Sequence, residues 1–136
     1  MIKEIISVWE ERKDVLRKEL VHSPIFSYKK LVEKIVDIFL NHESQLYDLE
    51  KMRVIDDGDY QGTLIFIIPE NTYQPNVNEY LYTYVYYGSC CGCDIMEDIQ
   101  AQYDSSKSKE TYDEVISDLM ILSLHLIQRF KRMGDC

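Results

Sequence analysis

Apolar residues near the start of the chain recur every three to four positions, which is the spacing of one face of an α-helix. The pattern predicts a first helix over residues 1–22, with charged residues interrupting the apolar stripe at Arg12 and Lys13. Pro24 ends this helix, because proline disfavours the helical conformation of the residue before it. A second helix is predicted over Ser27–Asn41, with an apolar face wide enough to be buried on two sides.

Beyond residue 51 the period changes to that of β-strands. Strands are predicted at Met52–Ile55, Thr63–Ile68 and Tyr80–Tyr87. The middle run is apolar throughout, which is typical of a central strand covered on both faces. Between the first two strands, Asp56 to Asp59 has turn composition, with Gly58 free to adopt positive φ.

Two capping boxes predict the helices that follow the strands. Asp94 and Glu97 open a helix that runs to about Tyr103. A second box at Thr111 opens a last helix that runs to about Lys131 and is apolar on most sides. The element order predicts one α+β domain over residues 1–136, with two N-terminal helices, a three-stranded antiparallel meander and two C-terminal helices packed on the sheet.

The chain of 136 residues is acidic, with 15 Lys and Arg against 24 Asp and Glu, for a net charge of −9. Direct binding to nucleic acid or to anionic membranes is disfavoured, because both need basic residues. No run approaches the ~20 apolar residues of a membrane helix. The charged N-terminus is unlike a secretion signal, so a cytoplasmic location is expected.

The negative charge is concentrated in one stretch. Residues 54–106 contain nine acidic side chains and no Lys, Arg or His. In the remainder of the chain, acidic residues and Lys and Arg are equal in number, so its net charge is zero. We therefore expect a negative field around the sheet and the turn that follows it. Such a field attracts basic partners, and a nucleic-acid-binding protein is one example.

The third predicted strand is rich in tyrosine. Alternation places four tyrosines on one face of it: Tyr80, Tyr82, Tyr84 and Tyr86. Tyrosine supplies contact area at low entropic cost and keeps a hydroxyl to bond, which suits protein interfaces. We predict a partner-binding surface made of these tyrosines with Asp56, Asp57 and Asp59. The alternative is that the aromatic residues only favour the strand and pack beneath a helix.

Three cysteines lie in one short turn beside Gly88 and Gly92: Cys90, Cys91 and Cys93. The Cys90/Cys93 spacing is that of a metal-binding or redox pair, with zinc as the expected metal. A structural zinc site needs four ligands, and the sequence does not place His22, His42, His125 or Cys136 near the turn. Three interpretations stay open: a metal site, a redox or nucleophilic thiol, and a turn whose cysteines only pack.

One stretch resembles a group of small uncharacterised bacteriophage proteins. The resemblance is carried by Asp56–Thr63, Ile65–Ile68, Tyr73-Gln74-Pro75 and the segment Tyr-Gly-Ser-Cys-Cys-Gly-Cys-Asp at 87–94. It covers about a third of the chain and implies a phage or prophage origin and action in the cytoplasm of a bacterial host. It carries no activity. We therefore expect a non-enzymatic accessory protein that binds a host or phage protein, with a metal or redox protein as the alternative.

Overall fold

The computed structural model describes residues 2–58, 62–88, 94–105 and 108–133, with side chains from Ile5 onward. These residues form four α-helices and four strands in the order α-α-β-β-β-α-α-β, which is the expected α+β class. The helices are α1 (Ile2–His22), α2 (Tyr28–Ile35), α3 (Ile95–Asp104) and α4 (Lys109–Gln128). The strands are β1 (Arg53–Gly58), β2 (Gly62–Pro69), β3 (Tyr80–Tyr87) and β4 (Lys131–Arg132), in that order across one antiparallel sheet.

The predicted three-stranded sheet is corrected to four strands, because the chain after α4 returns to the sheet. Lys131 pairs with Tyr82 and Arg132 with Leu81, so the predicted last helix ends at Gln128 and not at Lys131. This helix also begins earlier than expected. Ser108, and not Thr111, caps it by accepting a hydrogen bond from the Thr111 amide.

The second predicted helix changes geometry within its length. Its start agrees with the prediction to one residue, since Ser27 is the N-cap and Tyr28 the first helical residue. The α-helix then ends at Ile35, and a π-helical turn follows over Val36–Leu40. The Asn41 amide donates to the Val36 carbonyl five residues back, as a π turn requires. Arg12 donates from Nε to the Ile38 carbonyl in this turn at 2.6 Å, which accounts for a charge within the apolar stripe of α1.

The β1–β2 hairpin also differs from expectation. Strand β1 starts one residue late and extends through Asp56 and Asp57, which were predicted as turn. Gly58 has the expected positive φ of 155°. Opposite it, Gly62 approaches so closely that a Cβ there would lie 2.2 Å from the Asp57 carbonyl oxygen. Glycine is therefore required at the end of this hairpin.

One apolar core lies between the helices and one face of the sheet. Strand β3 alternates as predicted, with Leu81, Thr83 and Val85 buried and the tyrosines on the opposite face. The Thr83 hydroxyl donates to the Leu126 carbonyl at 2.8 Å, which joins the sheet to α4. The prediction that β2 is covered on both faces is wrong, because Phe66 and Ile68 are buried while Ile65 and Ile67 keep partial exposure.

Candidate binding surface

The sheet face opposite the helices carries the predicted tyrosines, and we call it the tyrosine face. It consists of the outward side chains of the four strands. Strand pairing arranges them in rows, each running from β3 through β2 to β1: Tyr86–Thr63–Asp57, Tyr84–Ile65–Ile55 and Tyr82–Ile67–Arg53. Tyr80 extends the β3 column, and Lys131 of β4 lies beside Tyr82.

This face presents apolar and aromatic area to solvent. Tyr86 is 62% exposed and Ile55 is 45% exposed, while Tyr84, Ile65 and Ile67 are half-buried. The rings of Tyr84 and Tyr86 contact each other edge to face, with centroids 5.6 Å apart. Within the described ranges, the helices pack on the opposite side of the sheet. The four tyrosines of β3 on this face therefore do not pack beneath a described helix, contrary to the alternative given above.

Arg129, at the end of α4, reaches over the tyrosine face. Its guanidinium lies 5.2 Å from the Tyr84 ring centroid and 6.0 Å from that of Tyr86. It also donates to the Tyr84 carbonyl at 3.2 Å. The hydrogen bond anchors the guanidinium at the backbone of β3, and the cation–π contacts favour the positions of the two rings beside it. Sequence reasoning missed Arg129, because no local pattern connects it to a strand 45 residues earlier.

The charge of this face differs from that of the surrounding sequence. Arg53, Arg129 and Lys131 all come from outside the acidic stretch, yet strand pairing and the end of α4 bring them to the tyrosines. Of the two acids in the described strands, Asp57 lies on this face. Asp56 lies on the other face, where its carboxylate accepts the Tyr87 hydroxyl. Asp59 lies outside the described residues.

Two acidic side chains lie together between the last two helices. Asp98 of α3 and Asp118 of α4 line a cavity of about 220 Å³ together with His125. Burial raises the pKa of the Asp118 carboxyl above its ordinary value, and the nearby charges of Asp98 and Glu114 raise it further. His125 is exposed.

A second cavity, of about 370 Å³, lies where α2 and α3 meet the sheet and is lined by Tyr28, Phe66, Asp94 and Met96 among others. Asp94 caps α3 as predicted, because its carboxylate accepts from the Met96 and Glu97 amides. It is 6% exposed and also accepts the Tyr28 hydroxyl at 2.6 Å. The carboxylate is thereby fixed as part of the fold.

The predicted metal ligands Cys90, Cys91 and Cys93, together with Cys136, lie outside the described residues. Elsewhere in the chain, the described His, Asp and Glu side chains form no group of three that could hold a metal ion. The cysteine turn as a zinc or redox site therefore stays a prediction.

Of the described helices, none is both long and apolar enough to span a membrane.

Comparisons with protein-family models, with curated proteins and with solved structures found no match to this chain.

Proposed function

We propose that the protein is a non-enzymatic binding protein and that its tyrosine face contacts a partner protein. The observation that carries the proposal is the set of four tyrosines along β3, on the sheet face opposite the helices, with Tyr86 mostly exposed. Exposed apolar and aromatic area that is rimmed by charge is typical of interaction sites. Aromatic residues and arginine are also the residues most enriched in interface cores.

The charges on this face specify the chemistry of the partner. Three cationic side chains and one carboxylate surround the aromatic rows among the described residues. The fitting partner is therefore a protein surface that combines apolar side chains with carboxylates. This differs from the basic partner that the charge of the linear sequence favours. A phage origin, with a host or phage protein as the partner, remains part of the proposal through the resemblance described above.

The orientation of the rings supports a binding role. Arg129 holds the rings of Tyr84 and Tyr86 before any partner arrives. Side chains that are already ordered lose less entropy on association, which strengthens binding without adding contacts. We expect these two tyrosines to contribute more to binding than Tyr80, which lies toward the loop end of β3.

The test compares a Tyr84→Ser/Tyr86→Ser variant with the wild type in affinity capture from bacterial lysate at low and moderate salt. Tyr73→Ser serves as the matched control, because Tyr73 is 93% exposed and lies outside the sheet. Any captured protein is purified and its affinity for each variant is measured. We expect the double variant to weaken binding by about 2 kcal/mol or more, as loss of interface hot spots does, and the control to bind like the wild type.

Two results would contradict the proposal. One is that no partner is captured under either salt condition. The other is that every captured protein binds the double variant as tightly as it binds the wild type. Circular dichroism of both variants shows whether the fold is retained, so that loss of binding is not confused with unfolding.

A further inference from the structure

Strand β1 forms one edge of the sheet made by the described strands. Its first side pairs with β2, and all six of its residues, Arg53–Gly58, are exposed. On its second side, no described element pairs with its amides and carbonyls. Such an edge can pair with another strand, and natural proteins control this with charged side chains.

On the tyrosine face of β1, two side chains of opposite charge, Arg53 and Asp57, lie two residues to either side of Ile55. Arg53, Ile55 and Asp57 all point to the tyrosine face, because they pair with Ile67, Ile65 and Thr63 of β2. In an antiparallel pair centred on one residue, positions equally distant from that residue lie opposite each other. If two β1 strands pair about Ile55, Arg53 of each lies opposite Asp57 of the other, and the two Ile55 side chains meet.

The same register keeps the folds of both copies compatible. Opposed residues share a face of the joined sheet, so pairing about Ile55 places both tyrosine faces on one side and both helical layers on the other. A shift of one residue would put the outward side chains of one copy on the inward side of the other. On the helical side, Val54 then lies opposite Asp56 of the second copy, and the Asp56 carboxylate already accepts the Tyr87 hydroxyl.

The charged residues at this edge are available for such contacts. Among the ion pairs between described residues, none includes Arg53 or Asp57. Opposite charges directly across two strands stabilise their pairing, and like charges destabilise it. The edge therefore combines an open backbone with a charge pattern that complements itself.

From this self-complementarity we infer that the protein forms a twofold dimer in which β1 pairs antiparallel with β1 of a second copy, centred on Ile55. The product is a continuous eight-stranded sheet whose tyrosine faces adjoin. The dimer does not depend on the partner proposed above. Both proposals use Arg53 and Asp57, but the partner contacts centre on Tyr84 and Tyr86 of β3, two strands from the β1 edge.

Sedimentation equilibrium over a range of protein concentrations, in reducing buffer, tests the inference. The apparent mass of the wild type is expected to rise with protein concentration from the chain mass of 16.2 kDa toward twice that value. In a dimer of Arg53→Asp, both contacts between positions 53 and 57 pair two carboxylates. In a dimer of Asp57→Arg, both contacts pair two guanidinium groups. Each variant is therefore expected to weaken dimerisation at least about tenfold.

A mixture of the two variants gives the decisive result. In a mixed pair, one copy carries aspartate at both positions and the other carries arginine at both, so every opposed pair is again of opposite charge. We expect an equimolar mixture, and also the double variant Arg53→Asp/Asp57→Arg, to dimerise like the wild type. Arg17→Asp and Glu11→Arg on the exposed side of α1 change the net charge equally and are expected to leave the dimer intact.

The inference is overturned if the wild type stays a monomer at every concentration. It is equally overturned if a dimer forms that neither single charge reversal weakens, or if the mixture and the double variant fail to recover it. Circular dichroism confirms that each variant is folded.

Discussion

At the scale of single residues, the contact between Tyr28 and Asp94 links α2 to the start of α3. The Tyr28 hydroxyl donates to Asp94 and accepts from the Met96 amide at 3.1 Å. Burial raises the pKa of Tyr28 above its ordinary value, and the hydrogen bond to the Asp94 carboxylate raises it further. The carboxylate therefore has a buried donor from outside its own helix.

Replacing Tyr28 with phenylalanine tests this contact. Removing one donor from a buried, charged acceptor is expected to lower the free energy of unfolding by about 1–3 kcal/mol, measured by urea denaturation at pH 7. Tyr73→Phe, at an exposed position, is the control and is expected to change little. Equal stability of the two variants would show that the hydroxyl contributes nothing.

The same variant changes the dependence of stability on pH. Because the pKa of Tyr28 is raised in the folded state, the folded protein keeps a proton that the unfolded chain loses above about pH 10. Wild-type stability therefore falls as pH rises through this range. The fall in stability should be shallower in Tyr28→Phe. Tyr47, Tyr112 and Lys13, whose pKa values are also raised, contribute to the fall that remains.

At the scale of elements, the contact between α3 and α4 combines apolar packing with repulsion between carboxylates. Ile99 and Leu122 are buried where the helices meet. Asp98 and Asp118 face the same cavity, and Glu114 lies one turn from Asp118 along α4. His125 lines the cavity as well.

We expect Asp118→Asn to stabilise the protein at neutral pH. A raised carboxyl pKa means that the folded state favours the protonated form, so this contribution to stability is complete below about pH 4 and is lost as pH rises. Thermal unfolding at pH 7 should give a higher midpoint for Asp118→Asn than for the wild type, and the difference should shrink near pH 3.5.

Asp113→Asn is the control, because it removes the same charge from an exposed position on the same helix. A gain in midpoint for Asp113→Asn as large as that for Asp118→Asn would assign the effect to net charge. The explanation from burial and neighbouring carboxylates would then be wrong.

At the scale of the whole molecule, residues from all four helices and from two central strands form one buried cluster. It includes Leu16 and Leu31 from the first helices, Leu81 from the sheet and Leu119 from α4, all without measurable exposure. Trp9 stacks on Phe39 with ring centroids 5.3 Å apart, which places the single tryptophan of the chain at this core. One buried cluster therefore joins the four helices to the sheet.

One core predicts one cooperative unfolding transition. Far-UV circular dichroism and Trp9 fluorescence should give the same urea midpoint. Leu31→Ala should lower the free energy of unfolding by about 2–5 kcal/mol, and both probes should move together. Leu46→Ala, at a residue 47% exposed, is the control. If the urea midpoints from circular dichroism and from Trp9 fluorescence differ in Leu31→Ala, the chain contains two units that unfold independently.

Much of the fold could be predicted from the sequence, because periodicity and capping act over a few neighbouring residues. The helix and strand types, the α+β class, the alternation of β3 and the cap at Asp94 are all of this kind. The π turn after Ile35 could not be predicted in this way. It adds one residue to a turn without changing the apolar pattern, and the side chain that bonds its carbonyl belongs to Arg12 in another helix.

By itself, the sequence determined which residues share a face of each element and where the acidic stretch lies along the chain. The tertiary structure alone decided which face of the sheet the helices cover and which charges lie beside the tyrosines. Arg129 and Lys131 follow the end of α4 and reach β3 only because the chain folds back onto the sheet. Charge on a surface depends on residues brought together in space, so an acidic segment of sequence can carry a tyrosine face with three cationic neighbours.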